Sequence, residues 1–162
     1  MKMNKKQTAF LFKYRQAYER SDFIVGKSNY EVVNWIDSWP NWKENGIIVI
    51  GPPGSGKSHL VSVWREKSFA KEIVFGIKNS FKKELFKHKN IVIEDLQKIK
   101  DYEYLLHIIN YFSEKRGKIL ITSTTSPANL NINLADLSSR LLAYPQAEMK
   151  SPSDDVLEGL LI

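Results

Sequence analysis

The residues best suited to chemistry form a loop at positions 51–58, with the sequence Gly-Pro-Pro-Gly-Ser-Gly-Lys-Ser. Its glycines let successive backbone N–H groups turn towards a polyphosphate, Lys57 can reach the outer phosphates, and the Ser58 hydroxyl can complete a Mg²⁺ shell. An apolar run precedes the loop and a helical pattern follows it, which favours a phosphate site at a helix N-terminus over a flexible surface loop. The predicted nucleotide-binding residues here are Gly51, Pro52, Pro53, Gly54, Ser55, Gly56, Lys57, Ser58 and His59.

Two acids follow the apolar run 91–93. In P-loop NTPases, a strand ending in acids holds Mg²⁺ and orients the attacking water. Glu94 and Ser58 are the predicted Mg²⁺ ligands. Asp95 lies where a catalytic base would be expected. The Asp95 side chain is shorter than the glutamate found there in many ATPases, so we expect nucleotide binding more firmly than hydrolysis. The alternative is a pair of solvated acids at a strand end.

Two further polar positions are candidates for catalysis. Thr124 lies in a Thr-Ser-Thr-Thr run that closes a predicted strand, where its side chain could sense a γ-phosphate, although a polar turn before Pro127 is an equal alternative. Arg140 lies near a predicted helix end. It is either an ordinary surface arginine or one supplied across a subunit boundary to stabilise transferring phosphate charge.

Composition narrows the class of protein. The 162 residues are 43% hydrophobic, which fits one globular domain, and no apolar run approaches the roughly 20 residues of a membrane span. We therefore expect a cytoplasmic protein without membrane contact. The chain has no cysteine and its three histidines lack metal-ligand spacing, so Mg²⁺ is the expected metal. A net charge of +6 allows a nucleic-acid partner, but the basic first twenty residues are more simply interpreted as solvated.

The pattern of elements predicts an α/β fold with a mostly parallel, five-stranded sheet flanked by helices. A basic extended arm is expected over 1–20. Ser28 and Glu31 read as a capping box that begins a helix ended by Pro40. Strands are predicted at 47–50, 72–77, 90–95 and 118–122, with a brief apolar segment after 142, and helices at 57–68, 81–88, 102–116, 134–142 and from 153. Ligands then belong at the carboxyl ends of the strands.

Taken together, segments 22–29, 51–60, 93–96 and 134–141 resemble the AAA+ domain of DnaA-type replication initiators, and most of all their regulatory homologues of the Hda type. The tryptophan-rich segment 35–42 is similar to Hda-type proteins of α-proteobacteria. The resemblance covers about residues 22–162 and rests on a combination of motifs far more specific than the phosphate loop alone.

The resemblance implies a mechanism. Proteins of the Hda type bind ADP or another adenine nucleotide such as ATP, attach to the DNA-loaded sliding clamp, and stimulate hydrolysis of DnaA-bound ATP, which limits initiation. Phe23, Ile24 and Val25 correspond to the adenine-contacting stretch, and Arg140 corresponds to the arginine finger that acts on a neighbouring molecule. The core domain is expected over 21–152.

The arm also has a counterpart in the family. Gln7, Phe10, Leu11 and Phe12 resemble a clamp-binding peptide, in which a glutamine leads and apolar side chains fill a groove. Thr8 departs from the leucine usual after that glutamine, and a simple hydrophobic anchor is the alternative. Residues 153–162 resemble the beginning of a helical lid, and a lid cut short there would leave one wall of the nucleotide pocket open.

Three functions remain open. The first is a regulatory adaptor with weak or no ATP turnover of its own. Its partners would be a DnaA-type initiator and the sliding clamp. Weak or indirect DNA contact and self-association are further options. The second is an autonomous ATPase of the helicase-loader type, since loaders share the Gly-Lys-Ser/Thr-His-Leu sequence. The third is a nonenzymatic DNA-binding module, which the lack of a DNA-reading helix disfavours.

Overall fold

The computed structural model describes residues 25–76 and 82–151. Several predictions fall outside these ranges: the arm 1–20 with its clamp-binding peptide, the adenine-contacting residues Phe23 and Ile24, and the lid segment 153–162. They stay predictions.

Helices and strands alternate along the described chain. The helices are α1 (Tyr30–Asp37), α2 (Lys57–Ser68), α3 (Lys82–Leu85), α4 (Tyr102–Glu114) and α5 (Ala135–Ala143). The strands are β1 (Gly46–Ile50), β2 (Lys71–Ile73), β3 (Ile91–Ile93), β4 (Ile119–Ser123) and β5 (Gln146–Glu148). Short 3-10 helices cover Leu96–Lys98 and Pro127–Asn129.

The five strands form one sheet in the order β2-β3-β4-β1-β5, and every neighbouring pair is parallel. The starts of β1 to β4 are level, because Gly46 pairs with Ile119, Ile119 with Ile91, and Ile91 with Lys71, whereas β5 begins opposite Ile48. The predicted α/β class and five-stranded parallel sheet are confirmed. The brief apolar segment after residue 142 supplies the edge strand β5.

Helices cover both faces of the sheet, as expected for parallel strands. In β1, Ile47 and Val49 pack against α1 and α2, whereas Ile48 points to the opposite face and packs against α4 and α5. Two hydrophobic layers therefore enclose a sheet whose carboxyl ends all face one edge. None of the helices in the described ranges is long and apolar enough to cross a membrane.

The four tryptophans of the chain lie together on the α1–α2 side of the sheet. The rings of Trp42 and Trp64 are stacked with centroids 5.1 Å apart, and Trp39 contacts both rings edge-on. Trp35 meets Trp42 edge-on, and its carbonyl accepts a hydrogen bond from Trp42 Nε1 at 2.8 Å. This indole cluster joins α1 and the loop after it to α2, the helix that follows the phosphate loop.

Several local predictions were wrong. The capping box does not form, because α1 begins after Asn29 and Glu31 instead accepts a hydrogen bond from the Glu148 N–H at 3.4 Å. Strand β2 is shorter than predicted, and α3 covers only part of the predicted helix 81–88. Helix α4 ends at Glu114, with Arg116 rather than Gly117 in the left-handed conformation.

Candidate nucleotide-binding site

The phosphate loop lies where the sequence places it, between the carboxyl end of β1 and the first turn of α2. Gly54 and Gly56 have φ angles of 77° and 94°, which glycine adopts without the steric cost of a side chain. Gly51 is required for a different reason: a Cβ there would approach the Met149 carbonyl oxygen to 2.7 Å. The loop is therefore held tightly against the chain that follows β5.

Lys57 is buried at the start of α2, with 8% of its surface exposed. Its ammonium group donates hydrogen bonds to the carbonyls of Gly51 at 2.6 Å and Pro52 at 2.9 Å, inside the curve of the loop. Burial lowers the pKa of Lys57, while Asp95 and Glu94 act in the opposite direction. A cation is thus fixed at the centre of the loop, where a polyphosphate would need it.

Ser58 and Glu94, the two predicted metal ligands, lie together. Burial raises the pKa of Glu94, as do the neighbouring Glu72 and Asp95, whereas Arg65 and the nearby Ser58 hydroxyl lower it. Arg65 also pairs with Glu72 at 2.8 Å. A hydroxyl and a carboxylate close together are oxygen donors of the kind Mg²⁺ prefers.

Asp95 has a constrained backbone and an engaged side chain. Its φ of 58° lies in the left-handed region, at the start of the 3-10 helix Leu96–Lys98. The carboxylate accepts hydrogen bonds from Gln97 Nε2 at 3.2 Å and Lys98 Nζ at 3.3 Å. The structure therefore places Asp95 beside Glu94, with its carboxylate already held by two donors from the following turn.

The end of β4 is hydrogen-bonded to the end of β3. The buried Thr122 accepts a hydrogen bond from the Asp95 N–H at 3.0 Å through its Oγ1 atom. The Thr124 N–H donates to Gln97 Oε1 at 3.1 Å, so Gln97 links Asp95 to Thr124. The half-buried Thr124 thus reaches the acid through its backbone and Gln97, and its predicted sensor role stays a prediction.

Arg140 lies on α5 with 44% of its side chain exposed. Its Nε pairs with Asp136 Oδ1 at 3.3 Å, one turn earlier on the same helix. The guanidinium is thus partly exposed to solvent and takes part in a surface ion pair, which typically contributes well under about 1 kcal/mol.

Val25 is the one adenine-contacting candidate within the described ranges, and it is 46% exposed. The segment that follows it is fixed beside the phosphate loop, because the Lys150 N–H donates to the Ser28 carbonyl at 2.9 Å. The N–H of Met149, the residue before Lys150, donates to the carbonyl of Ile50 at 2.6 Å, directly before the loop. The segment that begins at Val25 is therefore separated from the phosphate loop by the chain that follows β5.

These residues fit a Mg²⁺–nucleotide. The loop offers backbone N–H groups and the Lys57 ammonium to phosphates, and Ser58 with Glu94 would hold the metal, which would neutralise phosphate charge. Among the described residues, no group of three or more histidine, aspartate or glutamate side chains forms a separate metal site.

Sequence reasoning missed Gln97, Thr122 and Arg65 as parts of this site. Gln97 and Thr122 join β3 to β4, and Arg65 joins α2 to the carboxylates of Glu72 and Glu94. Each acts across segments that are distant in the chain, so no local motif marks it. Thr122 had one weak signal, since it stands in the polar run already noted for Thr124.

The chain has an α/β fold with a five-stranded parallel sheet, a phosphate-loop sequence after its first strand, and the architecture of DnaA-like AAA+ structures. An AMPPCP-bound DnaA from Aquifex aeolicus superimposes with a TM-score of 0.72 at 20% identity, over 89% of this chain and 53% of that one. Domain III of the Thermotoga maritima replication initiation protein DnaA superimposes with a TM-score of 0.72 at 20% identity, over 89% of this chain and 73% of that one. The structure of DnaI superimposes with a TM-score of 0.64 at 13% identity, over 88% of this chain and 93% of that one.

The chain spans about half the length of the first replication-initiation structures it matches. No family model matches the chain, and no curated protein matches it in sequence.

Proposed function

We propose that this protein is an adenine-nucleotide-binding AAA+ regulator of replication initiation, which stimulates hydrolysis of ATP bound to a DnaA-type initiator. It acts while attached to the sliding clamp through Gln7, Phe10, Leu11 and Phe12. Nucleotide and Mg²⁺ bind at the phosphate loop and set the shape in which the protein docks. Arg140 supplies positive charge to the neighbour's phosphates.

The observation that carries the nucleotide part of the proposal is a buried lysine inside the phosphate loop, with the two metal-ligand candidates near each other. Lys57 is 8% exposed and donates to the carbonyls of Gly51 and Pro52, and Ser58 is near enough to Glu94 to lower its pKa. The neighbouring DnaA structures that contain AMPPCP support an adenine nucleotide as the ligand.

Two features support action on a neighbour in preference to rapid turnover at this protein's own site. Arg140 is exposed and pairs with Asp136 at the surface, so it can leave that partner at little energetic cost. Asp95, the candidate base, is engaged by Gln97 and Lys98 and has a shorter reach than glutamate.

A helicase-loader-like ATPase is the second candidate. The observation in its favour is the likeness to DnaI, which extends over 93% of that chain and 88% of this one. In this case the protein hydrolyses ATP by itself and needs neither initiator nor clamp.

One assay separates the two candidates. ATP hydrolysis is measured with a DnaA-type initiator preloaded with labelled ATP, with this protein and DNA-loaded clamp added singly and together. The regulator predicts faster loss of initiator-bound ATP only when both are present. Turnover by this protein alone, with no effect on initiator-bound ATP, would establish the loader-like ATPase and refute the regulator.

A further inference from the structure

The edge of the sheet opposite the phosphate loop is strongly basic. We define the basic edge as residues 67–71, 87–90 and 115–118, which lead into β2, β3 and β4; Lys71 is the first residue of β2. The first two segments carry two lysines each, the third carries two lysines and an arginine, and none contains aspartate or glutamate. The edge therefore holds much of the charge that gives the chain its net +6.

One side chain ties the three segments together. Asn90 donates from its Nδ2 to the Ser68 carbonyl at 2.9 Å and accepts at its Oδ1 from the Lys118 N–H at 3.0 Å. It is 6% exposed. The cationic residues of the three segments consequently share one rigid surface, although they are far apart in sequence.

Most of these charges have no anionic partner in the described ranges. Lys67 lies 3.9 Å from Asp37, and Lys118 Nζ donates to the neutral carbonyl of Glu44. Within residues 25–76 and 82–151, no ion pair involves Lys71, Lys87, Lys89 or Arg116. A concentration of unpaired cations on a rigid surface attracts a polyanion.

Aromatic rings stand among the cations. Phe69 is 85% exposed, the highest exposure of any large hydrophobic residue described. It ends α2 in the left-handed conformation, with a φ of 55°, where glycine is the usual residue. Phe86, itself 39% exposed, packs on Tyr111 with ring centroids 4.3 Å apart, and Lys115 lies over the Tyr111 ring.

Arg116, like Phe69, has a left-handed backbone conformation at the end of a helix. At the end of α4 the Gly117 N–H bonds the Phe112 carbonyl and the Arg116 N–H bonds the Ser113 carbonyl, which is the Schellman arrangement. Arg116 occupies its left-handed position, with a φ of 55°, where glycine is favoured. Two unfavourable helix ends therefore display a phenylalanine and an arginine on the same edge, which indicates a use for those side chains.

We propose that the basic edge binds single-stranded nucleic acid. Its cations follow the phosphate backbone, and Phe69 stacks on an unpaired base, the combination by which single strands are bound without sequence preference. An acidic protein would use the cations but not the exposed ring. A duplex hides its base faces, and the edge is built of helix ends and loops that offer no helix to a groove.

The test is fluorescence anisotropy of a labelled oligo(dT) twentymer with the full chain over a range of salt concentrations. Phe69→Gly should weaken binding about tenfold, and Arg116→Gly should weaken it and reduce the slope of log affinity against log salt by about 0.7. Both variants should melt at or above the wild-type temperature, because glycine suits these backbone positions. Lys57→Ala should bind like wild type, which separates this surface from the nucleotide site.

Two matched variants serve as controls: Tyr30→Ala removes another exposed ring, and Lys100→Ala another exposed cation. Both should bind like wild type. Wild-type affinity in Phe69→Gly and Arg116→Gly would overturn the proposal, as would equal affinity for polyglutamate or duplex DNA. If either glycine variant melts lower, the double variant Lys87→Ala/Lys89→Ala decides, since both side chains are exposed; unchanged affinity in it also refutes the proposal.

Discussion

Ser58 on the first turn of α2 lies near Glu94, the residue that follows β3, and lowers the pKa of that carboxylate. These two residues belong to different motifs, and the parallel sheet brings them together at its carboxyl edge. Burial raises the pKa of Glu94, and the neighbouring acids Glu72 and Asp95 raise it further.

The first prediction concerns Lys57. Lys57→Ala should lower the affinity for ADP and ATP by about 10- to 100-fold, the range expected for loss of charge-assisted hydrogen bonds. Isothermal titration calorimetry measures the change. Lys67→Ala, on the last turn of the same helix, is the matched control and should leave affinity intact. Equal affinities in wild type and Lys57→Ala would remove the loop from nucleotide binding.

The second prediction uses the raised pKa of Glu94. Because the folded protein disfavours the ionised carboxylate, ionised Glu94 lowers the free energy of unfolding at pH 7, and this cost vanishes below the ordinary value of 4.5. Without Mg²⁺, Glu94→Gln should be more stable than wild type at pH 7 and equal to it near pH 4. Urea unfolding at the two pH values measures this.

The same variant should lose the Mg²⁺ dependence of nucleotide affinity, since an amide is a poorer ligand for this ion than a carboxylate. Glu66→Gln, an exposed change on α2, is the control and should show neither effect. A Glu94→Gln protein that is less stable than wild type at pH 7 would contradict the proposed destabilising role of the charge.

The third prediction concerns the link between β3 and β4. Thr122→Val keeps the shape of the side chain but leaves the Asp95 N–H without its acceptor, so the free energy of unfolding should fall by about 1–3 kcal/mol. Thr124→Val should change stability by less than about 0.5 kcal/mol, because Thr124 takes part through its backbone N–H. Chemical denaturation compares the two. A larger loss for Thr124→Val would reverse these assignments.

The fourth prediction tests Arg140. Arg140→Ala should keep nucleotide affinity and change stability by less than about 0.5 kcal/mol, the value of an exposed ion pair one helical turn apart, yet abolish stimulation of initiator-bound ATP hydrolysis. Asp136→Ala breaks the same pair but keeps the arginine, and it should stimulate fully. Stimulation that survives in Arg140→Ala would show that another residue supplies the charge.

The fifth prediction concerns the arm. Deleting residues 7–12 should remove binding to the sliding clamp in a pull-down, because the glutamine and the apolar side chains that fill the clamp groove are lost together. Thr8→Leu restores the residue usual in such peptides and should tighten binding. A deleted protein that still captures the clamp would place the contact elsewhere in the chain.

The fold class and the phosphate loop could be predicted from sequence because their signals are local and continuous. Each of the strands β1, β3 and β4 is an apolar run, and the loop is a fixed pattern between a strand and a helix. The edge strand β5 carries a weaker signal, since Gln146 and Glu148 are exposed and only Ala147 enters the core. Its place beside β1 depends on pairing with a strand almost 100 residues earlier.

The contacts around Glu94 could not be predicted in the same way. Thr122, Gln97 and Arg65 reach the acids from three different elements, and nothing in their local sequence distinguishes them from other polar residues. The failed capping box has the same cause. The Glu31 carboxylate could accept a hydrogen bond at the N-terminus of its own helix. Instead it accepts one from the Glu148 N–H in β5.

The indole cluster gives the protein a single optical probe. Neighbouring ring centroids lie 5.1 to 5.8 Å apart, so the four tryptophans exchange excitation energy and emit as a unit. Their emission follows the junction between α1 and the helix behind the phosphate loop. The opposite layer, formed by α4 and α5, contains no tryptophan. Loosening of that layer is therefore better followed by tyrosine emission or amide exchange than by tryptophan emission.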